Sequence, residues 1–74
     1  MNAVTLYRTD PARRMARYYS LDVQSDLFGA CCLIREWGRI GHAGQIRSVP
    51  YPTQVEAAAA LERQRKAKMR RGYS

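Results

Sequence analysis

The sequence lacks the long apolar run that a membrane-spanning helix or a secretory signal requires. A signal peptide carries about 7–15 consecutive apolar residues, and a helix that crosses a bilayer carries about 20. Charged side chains interrupt the first thirty residues at Asp10, Arg13, Arg14 and Arg17. We therefore expect neither a signal peptide nor a membrane segment. A membrane partner is also not expected, because the basic C-terminal segment has a weak apolar face.

Cysteine and histidine are scarce, and their spacing does not suit a metal site. The two cysteines, Cys31 and Cys32, are adjacent, and His42 is the single histidine. Neighbouring residues on a strand point to opposite faces, so these thiols cannot easily form a disulfide with each other. Without a CxxC pair or a histidine at ligand spacing, we expect no zinc and no other metal. Two free thiols fit a reducing compartment, which predicts a cytoplasmic protein.

The residue patterns of common catalytic sites are also missing. His42 has no serine or cysteine partner in a recognisable nucleophile motif, and the chain has no paired carboxylates and no phosphate-cradling glycine loop. Thiols in the interior of a strand are usually inert. We therefore predict no catalytic residues, no cofactor and no enzymatic activity.

Carboxylates are few, and the charge is correspondingly one-sided. Six Asp and Glu stand against thirteen Lys and Arg, so the formal net charge is +7. Eleven of the thirteen bases are Arg, whose planar fork matches phosphate oxygens and stacks on flat rings. This balance favours a polyanionic partner. The alternative is that the charge serves solubility alone.

What is present predicts one small α+β domain over residues 1–74, with about four antiparallel strands followed by one helix. Alternation and turn residues predict strands at 4–9, 15–24, 30–40 and 45–51. Thr53 and Glu56 form a capping-box pattern before an alanine-rich run, which predicts a helix from 54 to about 70 that stops near Gly72. The two ends, residues 1–2 and 73–74, are expected to fray. The expected apolar stripe of the helix consists of Val55, Ala58, Leu61 and Met69, with the stems of Arg65 and Lys68 between them.

The third predicted strand carries the most suggestive surface. Its odd positions place Arg35, Trp37 and Arg39 on one face at two-residue spacing. An indole flanked by guanidinium groups suits a phosphate together with a base or a sugar. A Trp on a half-buried strand is also a common packing residue, and both roles stay open. Gly38 permits close approach of the backbone.

Basic residues also crowd the C-terminal half of the predicted helix. Part of this run complements the helix dipole, but six bases within nine residues exceed what the dipole needs. A solvated helix face and a phosphate-tracking surface are both consistent with it. The candidate phosphate contacts on this helix are Arg63, Lys66 and Arg70.

The chain resembles the WGR domain, a family found in poly(ADP-ribose) polymerases and in short stand-alone bacterial proteins. The resemblance covers nearly the whole chain. It is carried by Tyr18, Tyr19 and Leu21, by the run REWGRIG at 35–41, by Gly44 and Gln45, and by the alanine-rich helix that Thr53 opens.

The resemblance implies a small antiparallel sheet with one helix packed on it. In the polymerases this domain binds DNA near a strand break, with the Trp on a terminal nucleotide and the motif Arg on the backbone. Those roles fall on Trp37 and Arg39. Arg35 and Arg47 are candidate helpers because of their charge alone. The damage-signalling role of the polymerases does not carry over, because no polymerase catalytic region is present.

The first hypothesis is therefore a non-catalytic nucleic-acid-binding module, for DNA with RNA left open as a second ligand, and with a preference for ends, nicks or other distorted sites. The alternative is a protein–protein interaction module that does not bind DNA directly. No oligomeric state follows from the sequence.

Overall fold

The computed structural model describes residues 3–25 and 28–74 and shows a four-stranded antiparallel sheet with one helix on one face. The strands are β1 (Val4–Asp10), β2 (Met15–Ser25), β3 (Cys31–Arg39) and β4 (Gln45–Tyr51), followed by helix α1 (Gln54–Arg70). A 3-10 turn, Pro11–Arg13, joins β1 to β2. The strands lie in chain order, β1-β2-β3-β4, so each pairs with its neighbour in sequence. The predicted α+β class is confirmed.

The core lies between the sheet and α1 and is built by the alternation of the two central strands. Tyr19, Leu21 and Val23 of β2 are buried together with Cys31 and Leu33 of β3. In the register Val23 lies opposite Leu33, and side chains directly opposite each other share a face of the sheet. We refer to this side as the helix face and to the other side as the uncovered face.

Helix α1 begins where the sequence predicts. The Thr53 hydroxyl accepts a hydrogen bond from the Glu56 amide at 3.2 Å, which confirms Thr53 as the N-cap. An N-cap of this kind stabilises a helix by about 1 kcal/mol. The cap sets the start of α1 directly after β4, and the helix then crosses back over the sheet.

The predicted apolar stripe of α1 is only partly right. Leu61 is buried, but the other residues that face the sheet are Ala57 and Ala60. Val55 is 80% exposed and Met69 is 47% exposed, contrary to the prediction. The reason is that four consecutive alanines give the helix no unique apolar side. The larger Leu21 and Leu33 fill the space beneath it, so the small alanines face the sheet.

The C-terminal end does not fray as predicted. Gly72, with φ +96°, reverses the chain after α1, and Tyr73 packs against the core. Ser74 then exchanges two backbone hydrogen bonds with Tyr7 of β1, each 2.8 Å long. The last two residues therefore extend the pairing at the outer edge of β1.

Two other predictions fall on residues outside the described ranges. The expected fraying of residues 1 and 2 is one of them. The other is the turn implied between the predicted strands at 15–24 and 30–40, since it includes positions 26 and 27. Within that turn, Gly29 has φ +83°, a conformation that glycine adopts without strain.

Candidate nucleic-acid interface

All five strand arginines lie on the helix face of the sheet. They are Arg8, Arg17, Arg35, Arg39 and Arg47. The register pairs Arg8 with Arg17 and Arg17 with Arg39, which gives a continuous row across β1, β2 and β3. We call these three residues the arginine row. Four positions from Arg39 along β3, Arg35 lies opposite Arg47 of β4.

These arginines have no acidic partners in the part of the chain that the structure describes. The two ion pairs found there join Arg13 to Asp10 at 3.7 Å and Arg65 to Glu62 at 2.7 Å. Like charges directly opposite each other on a sheet are destabilising. The fold therefore carries an electrostatic cost on this face, and a bound polyanion would offset it.

Trp37 shares the helix face with Arg35 and Arg39, as the alternation predicts. The indole is half-buried and packs against the core. It stacks on Tyr19, with 6.1 Å between the ring centres and 22° between the planes. The guanidinium carbon of Arg35 lies 6.0 Å from the centre of the indole. Of the two roles that the sequence left open for Trp37, packing is therefore observed. Because the indole is only half-buried, the binding role stays a prediction.

Arg35 has an unusual environment for a charged group. Its Nε atom is buried and has no hydrogen-bond partner among the described residues. A buried donor without a partner costs about 1–3 kcal/mol, more for a charged group.

Lys68 of α1 completes the same surface, and the sequence did not single it out for binding. Its Nζ atom lies 4.4 Å from the ring centre of Tyr19 and 5.8 Å from that of Tyr73. Burial lowers the pKa of Lys68, and the nearby charges of Arg71 and Arg35 lower it further. Lys68 is seven residues after Leu61, two helical turns along the buried stripe, and this spacing is the signal that could have identified it.

The three helix bases chosen from the sequence lie elsewhere. Arg63, Lys66 and Arg70 are exposed. Their spacing of three and four residues puts them on one stripe, about half a turn from Leu61 and Lys68. The structure therefore separates them from Trp37 by the width of the helix.

Gly38, the middle residue of the Trp-Gly-Arg motif, has a structural role. It lies on the uncovered face opposite Tyr18. A Cβ atom at Gly38 would come within 2.9 Å of the Gly44 Cα atom. The close approach of these two glycines lets the turn after β3 fold back beneath the motif.

The uncovered face has the opposite electrostatic character. Asp22 and Glu36 lie on this face, and none of the five strand arginines does. The Tyr18 hydroxyl donates a 2.9 Å hydrogen bond to Glu36. This bond raises the pKa of Tyr18, because the carboxylate favours the protonated phenol. All five strand arginines thus lie on the side of Trp37, whereas two of the three strand carboxylates lie on the other side and Asp10 is the exception.

Sequence reasoning also missed Arg8 and Arg17 as site residues. Arg17 interrupts the apolar alternation of β2, and that interruption was the available signal. Arg8 occupies the matching position on β1, but only the strand register shows that it lies beside Arg17.

Residues 3–25 and 28–74 contain neither a candidate metal site nor a helix that could span a membrane. No group of three or more His, Cys, Asp or Glu side chains is placed to hold a metal ion. In the same ranges, no helix has the length and apolar character to cross a membrane.

Comparison with known proteins identifies the family. The family model of the WGR domain matches residues 2–74. The chain belongs to the WGR domain family. The WGR domain is a non-catalytic, nucleic-acid-binding module, and the resemblance seen in the sequence is confirmed.

A curated relative is considerably longer than the matched region. The chain is 41% identical over 66 residues to the uncharacterized protein y4dW of Sinorhizobium fredii. The match covers 89% of this chain but 32% of the relative, so this WGR domain spans about a third of the relative's length. No solved structure matches the chain significantly.

Proposed function

We propose that this WGR domain binds DNA through its helix face, with a preference for ends, nicks or other distorted sites. The observation that carries the proposal is that all five strand arginines share a face of the sheet with the half-buried Trp37, without an acidic partner among the residues that the structure describes. Arg39, Arg35 and Arg47 hold phosphates, and these contacts position the nucleic acid without reading its sequence.

Trp37 is the second element of the proposed interface. Its accessible part stacks on a sugar or a base, which is worth about 1–3 kcal/mol in stacking platforms. Inside an intact duplex the faces of the bases are covered by their neighbours. A terminus, nick or gap leaves such a face free, and this is the physical reason for the proposed preference.

The exposed bases of α1 have a different proposed role. Arg63, Lys66 and Arg70 add to the positive field that steers a polyanion toward the domain. They contact phosphates only where the nucleic acid extends past the helix.

The proposal also includes a cytoplasmic location. Cys31 and Cys32 are free thiols in the structure, and free thiols persist in a reducing compartment.

The test is a titration of labelled duplexes that differ only in having blunt ends, a nick or a closed circular backbone, with a matching RNA duplex. Each titration is repeated at several salt concentrations. With four phosphates neutralised, the logarithm of the association constant falls with the logarithm of salt concentration at a slope of about −3.6. We expect the nicked and blunt duplexes to bind more tightly than the circle.

Three variants make the test specific. Trp37→Ala should remove most of the preference for ends, and Arg39→Gln should reduce the salt slope by about 0.9. Arg65→Gln is the matched control, because it removes the same charge from a side chain already paired with Glu62. Affinity that ignores salt, or that survives both Trp37→Ala and Arg39→Gln, would reject the proposal.

The uncovered face supports a second candidate function, binding to another protein. Tyr7 is 50% exposed and Ile46 is 68% exposed on this face, where Asp22 and Glu36 oppose a polyanion. Ile46→Glu separates the two functions. A protein complex lost in this variant, with DNA affinity unchanged, would place protein binding on the uncovered face.

A further inference from the structure

A cationic pocket lies at the end of the sheet, where the turn between β1 and β2 meets the end of β3. The cavity has a volume of about 240 Å³. Its lining contains four guanidinium groups and two apolar side chains, from Arg13, Arg14, Met15, Ala16, Arg17 and Arg39. We call it the turn pocket. Of these residues, only Arg39 belongs to the interface expected from the family motif.

The run DPARR builds this pocket from a short stretch of chain. Pro11 opens the 3-10 turn, and Arg14 ends it in the left-handed conformation, with φ 51° and ψ 40°. The Arg14 amide donates a 3.2 Å hydrogen bond to the Pro11 carbonyl oxygen. A left-handed arginine is strained where glycine or asparagine would fit without strain. The fold thus keeps a charged side chain at a position where its backbone conformation is unfavourable.

Pairing of the strands then adds the remaining two arginines. Arg17 and Arg39 lie directly opposite each other. Beyond them, the Ile40 amide donates a 3.0 Å hydrogen bond to the Ala16 carbonyl oxygen, which holds the end of β3 against β2. This hydrogen bond holds Arg17 and Arg39 next to the turn.

The charge in the turn pocket is largely uncompensated. Asp10 lies 3.7 Å from the Nε atom of Arg13. Arg14, Arg17 and Arg39 make no hydrogen bond or ion pair through their side chains within the described ranges. Arg8, the third member of the arginine row, adds its charge beside Arg17. Convergent guanidinium groups with free donors are the arrangement that binds a phosphate oxyanion.

We propose that the turn pocket is a second anion site, which holds a phosphate group of the nucleic acid whose base or sugar contacts Trp37. This inference rests on the proposed function. The row of Arg17 and Arg39 lies two residues from Trp37, or about 7 Å along the strands. Stacked nucleotides advance by about 3.4 Å each. This distance is short on the scale of a nucleic-acid strand, so the pocket binds a phosphate of the nucleotide at Trp37 or of a close neighbour.

The first experiment tests the pocket without nucleic acid. Inorganic phosphate is titrated into the whole protein while backbone amide and arginine Nε–H resonances are followed by NMR. We expect saturable shifts centred on residues 13–17 and 39, and a loss of those shifts in Arg17→Gln. Arg65→Gln is the matched control and should titrate like the wild type. Shifts spread evenly over all exposed arginines would overturn the proposal.

A second variant separates binding from folding. Arg14→Gly removes the charge and also relieves the left-handed strain, so the melting temperature should rise while phosphate binding weakens. A more stable protein that still binds phosphate as tightly as the wild type would show that Arg14 is not part of the site.

The third experiment uses DNA and distinguishes an internal phosphodiester from a terminal phosphate. The nicked duplex is prepared with and without its terminal phosphate and titrated with wild type, Arg17→Gln and Arg14→Gly. We expect each variant to lose about tenfold in affinity and about 0.9 of the salt slope. If removal of the terminal phosphate reproduces this loss in the wild type, the pocket binds the terminal group. If it does not, the pocket binds the internal backbone.

The failures of the two proposals remain distinguishable. DNA binding that keeps its full salt slope in Arg14→Gly and Arg17→Gln overturns the turn pocket and leaves the proposed function standing. Localised phosphate binding in a protein with no affinity for DNA overturns the proposed function and the assignment of the phosphate to a nucleic acid, and leaves the turn pocket as a site for another phosphate-bearing ligand.

Discussion

The ring of Tyr19 stacks on the indole of Trp37 at 6.1 Å, and this contact joins the hydrophobic core to the candidate binding surface. Tyr19 is buried, whereas Trp37 is half-buried. On its other side Tyr19 meets the edge of Tyr73, with 6.2 Å between the ring centres. Arg35 and Lys68 pack against these three rings. Substitutions in the binding surface should therefore also change the free energy of unfolding.

Trp37→Ala should therefore lower the free energy of unfolding as well as weaken DNA binding. A fully buried Trp costs about 3–5 kcal/mol on truncation. Because the indole is only partly buried, we expect a loss of about 2 kcal/mol. Trp37→Phe keeps a ring against Tyr19 and should lose less than half of that amount. Urea unfolding followed by circular dichroism measures both, and an unchanged midpoint in Trp37→Ala would show that the indole has no packing role.

Gly44→Ala should destabilise the turn beneath the motif. A Cβ atom there would lie 2.6 Å from the Trp37 carbonyl oxygen and would also collide with the Tyr18 hydroxyl. Overpacking of this kind costs about 1–3 kcal/mol, and the Trp37 fluorescence spectrum should shift as β3 moves.

Gly41→Ala is the matched control in the same turn. Gly41 has φ +86°, and a Cβ atom at this position would lie in open space. The loss of folding free energy is therefore limited to the cost of the left-handed conformation, about 1–2 kcal/mol. Its fluorescence spectrum should stay that of the wild type. If Gly41→Ala shifts the spectrum and Gly44→Ala does not, the steric argument fails.

Lys68 should make the stability of the domain depend on pH in the alkaline range. Burial lowers its pKa in the folded state below the ordinary value of 10.5. Between the two pKa values the unfolded chain binds more protons, so the contribution of Lys68 to the free energy of unfolding rises with pH across that window. Once pH has fallen below the lowered pKa, the folded protein also binds the proton, and the cost of burying the charged amine applies in full.

Comparison with Lys68→Met isolates this effect from the titration of the tyrosines. The difference in free energy of unfolding between variant and wild type should shrink as pH rises toward 10.5. Lys66→Met removes a charge from the exposed side of the same helix and should show no such trend. Bound DNA should raise the pKa of Lys68, because a polyanion favours the charged amine.

Tyr73→Ala should release the C-terminal end from β1. The substitution removes the edge-on contact with Tyr19 and the ring beside Lys68, a loss of about 1–2 kcal/mol. The Tyr7 amide, which donates to the Ser74 carbonyl oxygen, should then exchange its hydrogen with solvent faster. Tyr73→Phe keeps the ring and should keep the slow exchange. Equal exchange rates in Tyr73→Ala and wild type would show that the ring does not anchor the end.

The sequence by itself determined the order, type and approximate bounds of the elements. Alternation in β2 and β3, the turn residues and the Thr53 cap are local signals, and each depends on neighbours within a few residues. The same alternation placed Arg35, Trp37 and Arg39 on one face.

Only the tertiary structure decided which distant side chains share the surface around Trp37. The alanines of α1 offer no unique apolar stripe, so packing against Leu21 and Leu33 selected Ala57 and Ala60 to face the sheet in place of Val55 and Met69. Strand register placed Arg8 and Arg17 beside Arg39, and no local pattern encodes register between separate segments. The turn pocket likewise exists because pairing of β2 with β3 brings two separate parts of the chain together.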